Sequence, residues 1–128
     1  MLSKSLLFDD MENFNKILKA TEPDEVKSLG RNTKGFDNTI WRANVVPIAC
    51  DFCYQKFTKV PGYTQELLAT GDKIIAESTD EDELWGTGYD MTDEPKCYQP
   101  WVWTGLNILG FALMVAREKV RSQGKDGA

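Results

Sequence analysis

Residues 104–121 read TGLNILGFALMVAREKVR, and this stretch is the strongest indication of the fold class. Apolar side chains recur every three or four positions, which is the period of an α-helix that packs one face against a core. The predicted core stripe and its flanks consist of Leu106, Ile108, Leu109, Ala112, Leu113, Val115, Ala116 and Val120. We therefore predict a closing helix that starts at Thr104–Gly105 and runs to about Arg121.

The beginning of the chain carries helix start and stop signals. Residues 2–8 have the pattern of a helix interior, and Asp9 or Asp10 is expected to cap the next helix. The apolar face of that second helix is Met11, Phe14, Ile17 and Leu18. Pro23 belongs in the first turn of a short third helix, which is expected to stop at Gly30.

The middle of the chain predicts two more helices and a small β element. One helix is expected over residues 36–57, with a restart at Pro47, and another over residues 64–69. Residues 73–77 are the one convincing strand, and residues 101–103 are expected to extend beside it. The predicted fold class is mainly α, with a small β element.

Composition sets limits on function. The chain has 128 residues, the length of one ordinary domain, with a net charge of −5 and no histidine. An acidic chain is a poor candidate for wrapping a phosphate backbone, and no histidine-containing zinc site or His-based triad can form. We expect no metal, no cofactor and no membrane span. Three cysteines and no recognisable secretory signal favour a cytoplasmic protein.

Residues 77–88, ESTDEDELWGTG, form an acidic stretch that ends in a Trp beside two glycines. One interpretation is an acidic surface loop with a core Trp. The other is a ligand site, in which Gly86 and Gly88 let the backbone pass close to the ligand and Trp85 offers a face for stacking. Asp82, three residues before the Trp, would then point at the stacked group.

Three other features have both a structural and a functional interpretation. Cys50 and Cys53 form a C-x-x-C in the middle of a predicted helix, where two small buried hydrophobes fit better than a redox or metal site. Lys4 either extends to solvent or, if buried beside aromatic rings, has a lowered pKa and acts as an amine nucleophile. Arg31 is either solvated or an anion clamp.

The chain closely resembles the NADAR (YbiA-like) family from about Leu2 to Arg117. The resemblance rests on seven segments in register, which are LSKSLLFDD, LGR, FDNTIW, KF, LLATGD, the acidic WGTG stretch and WTGLNILGFALMVARE. It implies a mainly α-helical protein that cleaves N-glycosidic bonds of ribosylated or ADP-ribosylated compounds. Substrates described for the family include riboflavin-pathway intermediates and ADP-ribose attached to guanosine.

The resemblance also implies catalytic residues. N-glycoside cleavage passes through an oxocarbenium-like state at the ribose, which a carboxylate stabilises, and Asp82 matches the family's acidic position. Lys4 matches a family lysine that would form a Schiff base with the opened ribose. Trp85, together with Trp41, would hold the heterocycle.

The remaining implied site residues bind or orient the substrate. Arg31 would meet a phosphate, and Asn107 would hydrogen-bond the ribose or base. Gly86 and Gly88 would shape the wall of the site, and Glu77 would orient groups within it. The implied partner is a small nucleotide-like molecule, with nucleic acid relevant only as a substrate with a modified base.

The sequence departs from the family pattern in three places. The family's N-terminal segment, with a short strand and a helical Glu, would fall before Met1, so residues 1–128 are interpreted as a single truncated domain. Leu106, Phe111 and Val115 stand where polar residues are expected, and the family has no fixed cysteines at the C-x-x-C. Three hypotheses follow: an N-glycosidase, a catalytically impaired module that binds an ADP-ribose-like nucleotide, or one part of an assembly completed by self-association or a second chain.

Overall fold

The computed structural model describes residues 1–126 and places six α-helices among them. Their bounds are α1 Leu2–Leu7, α2 Met11–Lys19, α3 Pro23–Arg31, α4 Asn38–Lys59, α5 Tyr63–Ala69 and α6 Ile108–Asp126. Two short 3₁₀ turns, Lys96–Tyr98 and Pro100–Val102, precede α6. The prediction of a mainly α fold is confirmed.

The chain divides into two compact units, Met1–Ile48 and Ala49–Ala128, with the boundary inside α4. In the first unit α1, α2 and α3 pack against one another. Asn13 of α2 is buried at their centre. Its Nδ2 lies 3.2 Å from Ser5 Oγ, 2.7 Å from the Leu29 carbonyl and 3.2 Å from Thr33 Oγ1. One amide therefore ties α1 and α2 to the end of α3.

Asp10 is the N-cap of α2, which settles the choice between Asp9 and Asp10. Its carboxylate accepts the backbone N–H of Lys34 at 2.8 Å and of Asn13 at 3.1 Å. These two donors, Lys34 above all, hold the pKa of Asp10 below its ordinary value. The same side chain thus caps α2 and fastens the segment that follows α3.

The predicted boundaries of α3 and α4 need small corrections. Pro23 is in the first turn of α3 as predicted, but the helix continues through Gly30 to Arg31. Gly30 is useful there because a Cβ would collide with the Met1 side chain. Helix α4 runs without a restart through Pro47. It begins at Asn38 because the Asp37 carboxylate accepts the first free N–H groups, those of Thr39 and Ile40.

In the second unit α5 packs against α6. The buried apolar side chains of this unit are Ala49, Cys53, Leu67, Cys97, Ile108, Ala112 and Ala116. The predicted stripe is confirmed at Ile108, Ala112 and Ala116, which are buried, but the helix begins at Ile108 and Leu106, which lies before it, is 60% exposed. Phe111 and Val115, which depart from the family pattern, are exposed too.

The predicted β element is wrong. None of residues 1–126 lies in a β-strand, and residues 73–77 have no regular secondary structure. Two side chains take carbonyls of this segment instead: Arg117 of α6 donates to Lys73 O at 2.8 Å, and Asn107, just before α6, donates to Ile75 O at 3.0 Å. Residues 101–103 do not extend beside it, because Pro100 starts a 3₁₀ turn.

In the part of the chain that the structure describes, no helix combines the length and the apolar character needed to cross a bilayer. Nor do the described residues include a group of three or more His, Cys, Asp or Glu side chains arranged to hold a metal ion.

Candidate functional site

The acidic stretch folds into a turn that fixes Asp82. Its Oδ1 accepts the backbone N–H of Leu84 and of Trp85, both at 2.9 Å, and its carbonyl accepts the N–H of Gly86 at 3.1 Å. The residue is half-buried. No described residue donates to Oδ2, so one carboxylate oxygen is held in place and the other is left for a ligand or water.

Trp85 lies against Phe52, in the part of α4 that belongs to the second unit. The centroid of its ring is 6.0 Å from that of Phe52, and the two planes are tilted by 52°. This tilted packing gives the ring a fixed orientation. Trp85 is half-buried, so part of its surface stays open for the stacking that the sequence predicts.

Gly86 and Gly88 are required by close approach of backbone to backbone. A Cβ on Gly86 would lie 2.8 Å from the Asp82 carbonyl and 3.0 Å from the Glu77 carbonyl. Gly88 has φ +90°, and a Cβ there would collide with the Thr104 hydroxyl. Their predicted place in the wall of a ligand site stays a prediction.

Backbone hydrogen bonds join this loop to the start of α6. Four backbone N–H groups at the start of α6 donate to loop carbonyls at 2.8 to 3.2 Å. The pairs are Gly105 to Thr87, Asn107 to Gly86, Ile108 to Leu84 and Leu109 to Trp85. The first N–H groups of a helix have no partner within it and often bind an anion. At the start of α6 the N–H groups of Ile108 and Leu109 already donate to loop carbonyls, so we do not expect an anion site there.

Asn107 and Glu77 meet at the base of the loop. Asn107 Oδ1 accepts the backbone N–H of Glu77 at 2.9 Å, and the Glu77 carbonyl accepts the N–H of Thr87 at 2.9 Å. The side chain of Glu77 is exposed, and Asn107 is buried. The predicted ligand contacts of these two residues remain predictions.

Lys4 and Trp41 lie together in the first unit, with Phe36 as a third member. The Lys4 Nζ is 4.5 Å from the ring centroid of Phe36 and 5.8 Å from that of Trp41. Burial lowers the pKa of Lys4, because desolvation disfavours the ammonium form. Sequence reasoning missed Phe36, although an aromatic residue just ahead of a helix cap was a usable signal. Phe8 fixes it in an edge-to-face contact at 5.2 Å.

Comparison with known proteins decides the family. The family model of the NADAR domain matches residues 1–121 of the 128. The chain belongs to the NADAR domain family. The family resemblance inferred from the seven sequence segments is thus confirmed.

This NADAR domain has several curated relatives. It is 37% identical over 120 residues to a protein of Acanthamoeba polyphaga mimivirus named an N-glycosidase, covering 93% of this chain and 69% of the relative. It is 30% identical to Protein irg-1 of Caenorhabditis elegans, covering 94% and 57%. It is 29% identical to a Nostoc punctiforme protein named an N-glycosidase, covering 80% and 58%. The chain thus spans between 57% and 69% of the length of these relatives.

Arg31, a predicted site residue of this NADAR domain, makes no polar contact with the other predicted site residues in the part of the chain that the structure describes. Arg31 ends α3 and is exposed, and no described residue makes a hydrogen bond or ion pair with its guanidinium. Its interpretations as a solvated residue and as an anion clamp therefore both stay predictions.

The C-x-x-C contains one buried thiol. Cys53 is 2% exposed, and burial, with a smaller contribution from Cys50, raises the pKa of its thiol to about 11. Such a thiol is inert, in line with a structural role, while Cys50 is only half-buried.

Proposed function

We propose that this NADAR domain is an N-glycosidase that cleaves the N-glycosidic bond of an ADP-ribosylated guanosine or of a ribosylamino nucleotide. Membership of the family and the names of two relatives support the reaction class. The single observation that carries the proposal for this chain is the Asp82–Trp85 turn. It holds one carboxylate oxygen through two backbone N–H groups, one of them that of Trp85, and no described residue donates to the other oxygen.

Asp82 is proposed to stabilise the positive charge that develops at the ribose anomeric carbon. Cleavage of an N-glycoside has an oxocarbenium-like transition state, and a fixed carboxylate next to that carbon lowers its free energy. Because Oδ1 is held by Leu84 and Trp85, the carboxylate needs no reorganisation as the charge appears. Trp85 would stack on the heterocycle that leaves.

Lys4 is proposed to act as the amine nucleophile and to form a Schiff base with the opened ribose. The neutral amine attacks C1 as the bond from C1 to the base nitrogen breaks, and the base leaves with a proton from the amine. The bond between C1 and the ring oxygen then breaks, the second proton of the nitrogen passes to that oxygen, and an imine forms between Nζ and C1. Water then hydrolyses the imine and regenerates the amine. The lowered pKa of Lys4 supports this role, because it raises the fraction of neutral amine near neutral pH.

The other site residues are proposed to bind the substrate. Trp41, next to Lys4, would contact the heterocycle, and Arg31 would pair with a phosphate. Glu77 would orient groups of the ribose through its exposed side chain. The proposed partner of the domain is therefore a small nucleotide-like molecule.

A binding module without turnover is the second candidate. The observation in its favour is that Asp82 Oδ1 already serves the turn, which is also what a purely structural Asp does. In that case Trp85 and Trp41 would hold an ADP-ribose-like ligand and no bond would break.

The test is to incubate the purified chain with ADP-ribosylated guanosine and with a ribosylamino nucleotide, and to follow release of the base by chromatography. Borohydride added during turnover should reduce the imine and leave a ribose-derived mass on the peptide that carries Lys4. Lys4→Arg keeps the charge and should abolish the adduct, whereas Lys19→Arg, at an exposed position of α2, should not. Binding of ADP-ribose without release would select the second candidate, and neither binding nor release would contradict both.

A further inference from the structure

We infer that Asn107 is a positioning residue, which sets the geometry of the loop that carries Asp82 and Trp85. This assignment replaces the ligand contact that the family resemblance implies for it. Its consequence for catalysis rests on the proposed function. Its consequence for the loop does not.

The hydrogen bonds of Asn107 are directed at protein backbone. Its N–H donates to Gly86 O at 2.9 Å, Oδ1 accepts from Glu77 N at 2.9 Å and Nδ2 donates to Ile75 O at 3.0 Å. Its carbonyl accepts the N–H of Phe111 at 3.0 Å inside α6. The residue is 7% exposed. A side chain used and buried in this way has little capacity left for a ribose or a base.

The backbone of Asn107 is shaped for this task. Its φ is +50°, in the left-handed region that Asn tolerates better than most residues. Gly110, one turn further along α6, leaves the space that the amide fills. A Cβ on Gly110 would lie 2.5 Å from Asn107 Nδ2 and 2.6 Å from Oδ1, and would collide with the Ile75 carbonyl.

The three loop bonds act on the two ends of one segment. The side chain of Asn107 holds the entry of the loop at Ile75 and Glu77, and its main chain holds the exit at Gly86. The residues between these ends include Asp82 and Trp85. Asn107 therefore fixes the distance between entry and exit, and its effect on a substrate passes through those two side chains.

Two substitutions separate the amide from the backbone. Asn107→Gly keeps the positive φ without strain and removes both side-chain atoms that bond the loop, Oδ1 and Nδ2. Asn107→Asp keeps the shape and the acceptor for Glu77, but an ionised carboxylate cannot donate to Ile75 O. A protonated one can. Burial should raise the pKa of the new acid above about 3.9, the usual value for Asp.

The activity arm of the test compares kcat and KM with the wild-type chain from about pH 8 to about pH 5. Displacing a catalytic group by about 1 Å costs on the order of 100-fold in rate, so Asn107→Gly should lose about that factor in kcat at every pH, with little change in KM. Asn107→Asp should lose a similar factor at pH 8 and regain at least about tenfold, relative to the wild type, as its carboxyl takes up a proton. The charged residues around the base of the loop, Lys73, Glu77 and Glu83, are present in both proteins, so their effect cancels in the ratio. A rise in KM with kcat unchanged would indicate that Asn107 contacts the substrate directly, and this result would overturn the inference.

The second arm needs no substrate and therefore separates the inference from the proposed function. Amide hydrogen exchange of Glu77 and Thr87 should speed up by at least about tenfold in Asn107→Gly, because their bonds close the base of the loop. Amides of α3 report whether the fold persists and should not change. Asn44→Asp is the matched control, since Asn44 also donates to a backbone carbonyl, that of Ile40, but is not buried. Wild-type exchange at Glu77 and Thr87 in the glycine variant would overturn the inference whether or not the chain turns over substrate.

Discussion

The backbone N–H of Trp85 donates to Oδ1 of Asp82 at 2.9 Å, so the proposed stacking ring and the proposed catalytic carboxylate share one turn. A substitution at Asp82 that removes the oxygen also releases the backbone of Trp85. Loss of activity in such a variant is therefore ambiguous unless the turn is kept. This relationship decides which substitutions are informative.

Asp82→Asn should lower turnover by roughly 10²–10³-fold, which is typical for the loss of one electrostatic group that stabilises a transition state. The Asn side chain keeps an oxygen for the N–H groups of Leu84 and Trp85 and loses only the charge. The melting temperature should therefore stay close to that of the wild type, while Asp82→Ala lowers both activity and stability. Turnover with a defined N-glycoside and thermal unfolding are the two measurements.

Asp80→Asn is the matched control for that experiment, because Asp80 is in the same acidic stretch, is exposed and has no described hydrogen bond. It should leave turnover unchanged. Equal losses at Asp80 and Asp82 would mean that the total charge of the stretch matters and that Asp82 has no special role.

Trp85→Ala should weaken binding of an ADP-ribose-like ligand by about 1–3 kcal/mol, the usual contribution of a base stacked on an aromatic side chain. Trp85→Phe should lose less, because a phenyl ring keeps both the stacking face and the contact with Phe52. Calorimetric titration measures the difference. Trp101→Ala is the control, since Trp101 is 78% exposed, and it should bind like the wild type. A larger loss of affinity in Trp101→Ala than in Trp85→Ala would indicate that the ligand binds at Trp101 and would contradict the proposed site.

Replacing Cys50 and Cys53 together by Ala should leave turnover intact and cost roughly 1 kcal/mol of unfolding free energy, because the change removes one buried atom of moderate size. In the native chain a thiol reagent at pH 8 should modify Cys50 well before Cys53, whose pKa of about 11 keeps it protonated. Mass spectrometry of the labelled peptides gives the order. Stoichiometric zinc that is lost together with activity in the double variant would contradict the structural role.

Asp10→Asn should reduce stability at neutral pH and have a shrinking effect as the solution is acidified. The pKa of Asp10 is lower in the folded than in the unfolded chain, so its stabilising effect is present above the unfolded value of 3.8. That effect disappears as the pH falls through the folded value. Urea unfolding of both proteins at several pH values between neutrality and acid tests this. A constant difference at all pH values would show that the hydrogen bonds of Asp10 do not depend on its charge.

Local signals were sufficient for the helices. Pro23, Asp10 and the break near Gly62 act within a few residues of the chain, and each lies where a helix begins or ends. The buried face of α6 was predicted at Ile108, Ala112 and Ala116. Leu106 and Val115 were included with them because of their hydropathy, yet both are exposed, since the period of a helix does not show how wide its buried face is.

The β element failed for a reason that no local pattern contains. Ile74 and Ile75 have high strand propensity, but a strand also needs a neighbour to take its carbonyls. Here the carbonyls are taken by the side chains of Asn107, just before α6, and of Arg117 within it, more than thirty residues away. The same contrast of sequence distance applies to the candidate site. Asp82 and Trp85 are three residues apart, so a local pattern draws attention to both, whereas the bonds of Asn107 to Ile75 and Glu77 span 32 and 30 residues and leave no local pattern.

The bond from Gly105 N–H to Thr87 O, at 2.8 Å, also indicates where this chain tolerates added length. It closes residues 88–104 into a loop whose ends are fixed independently of its interior, and doubling a loop costs only about 0.6 kcal/mol. Four Gly-Ser residues inserted after the exposed Met91 should preserve turnover, whereas the same insertion after Trp85 should abolish it. A change in the length of residues 88–104 is thus expected to leave Asp82 and Trp85 in their positions, because the bond from Gly105 to Thr87 separates that loop from their turn.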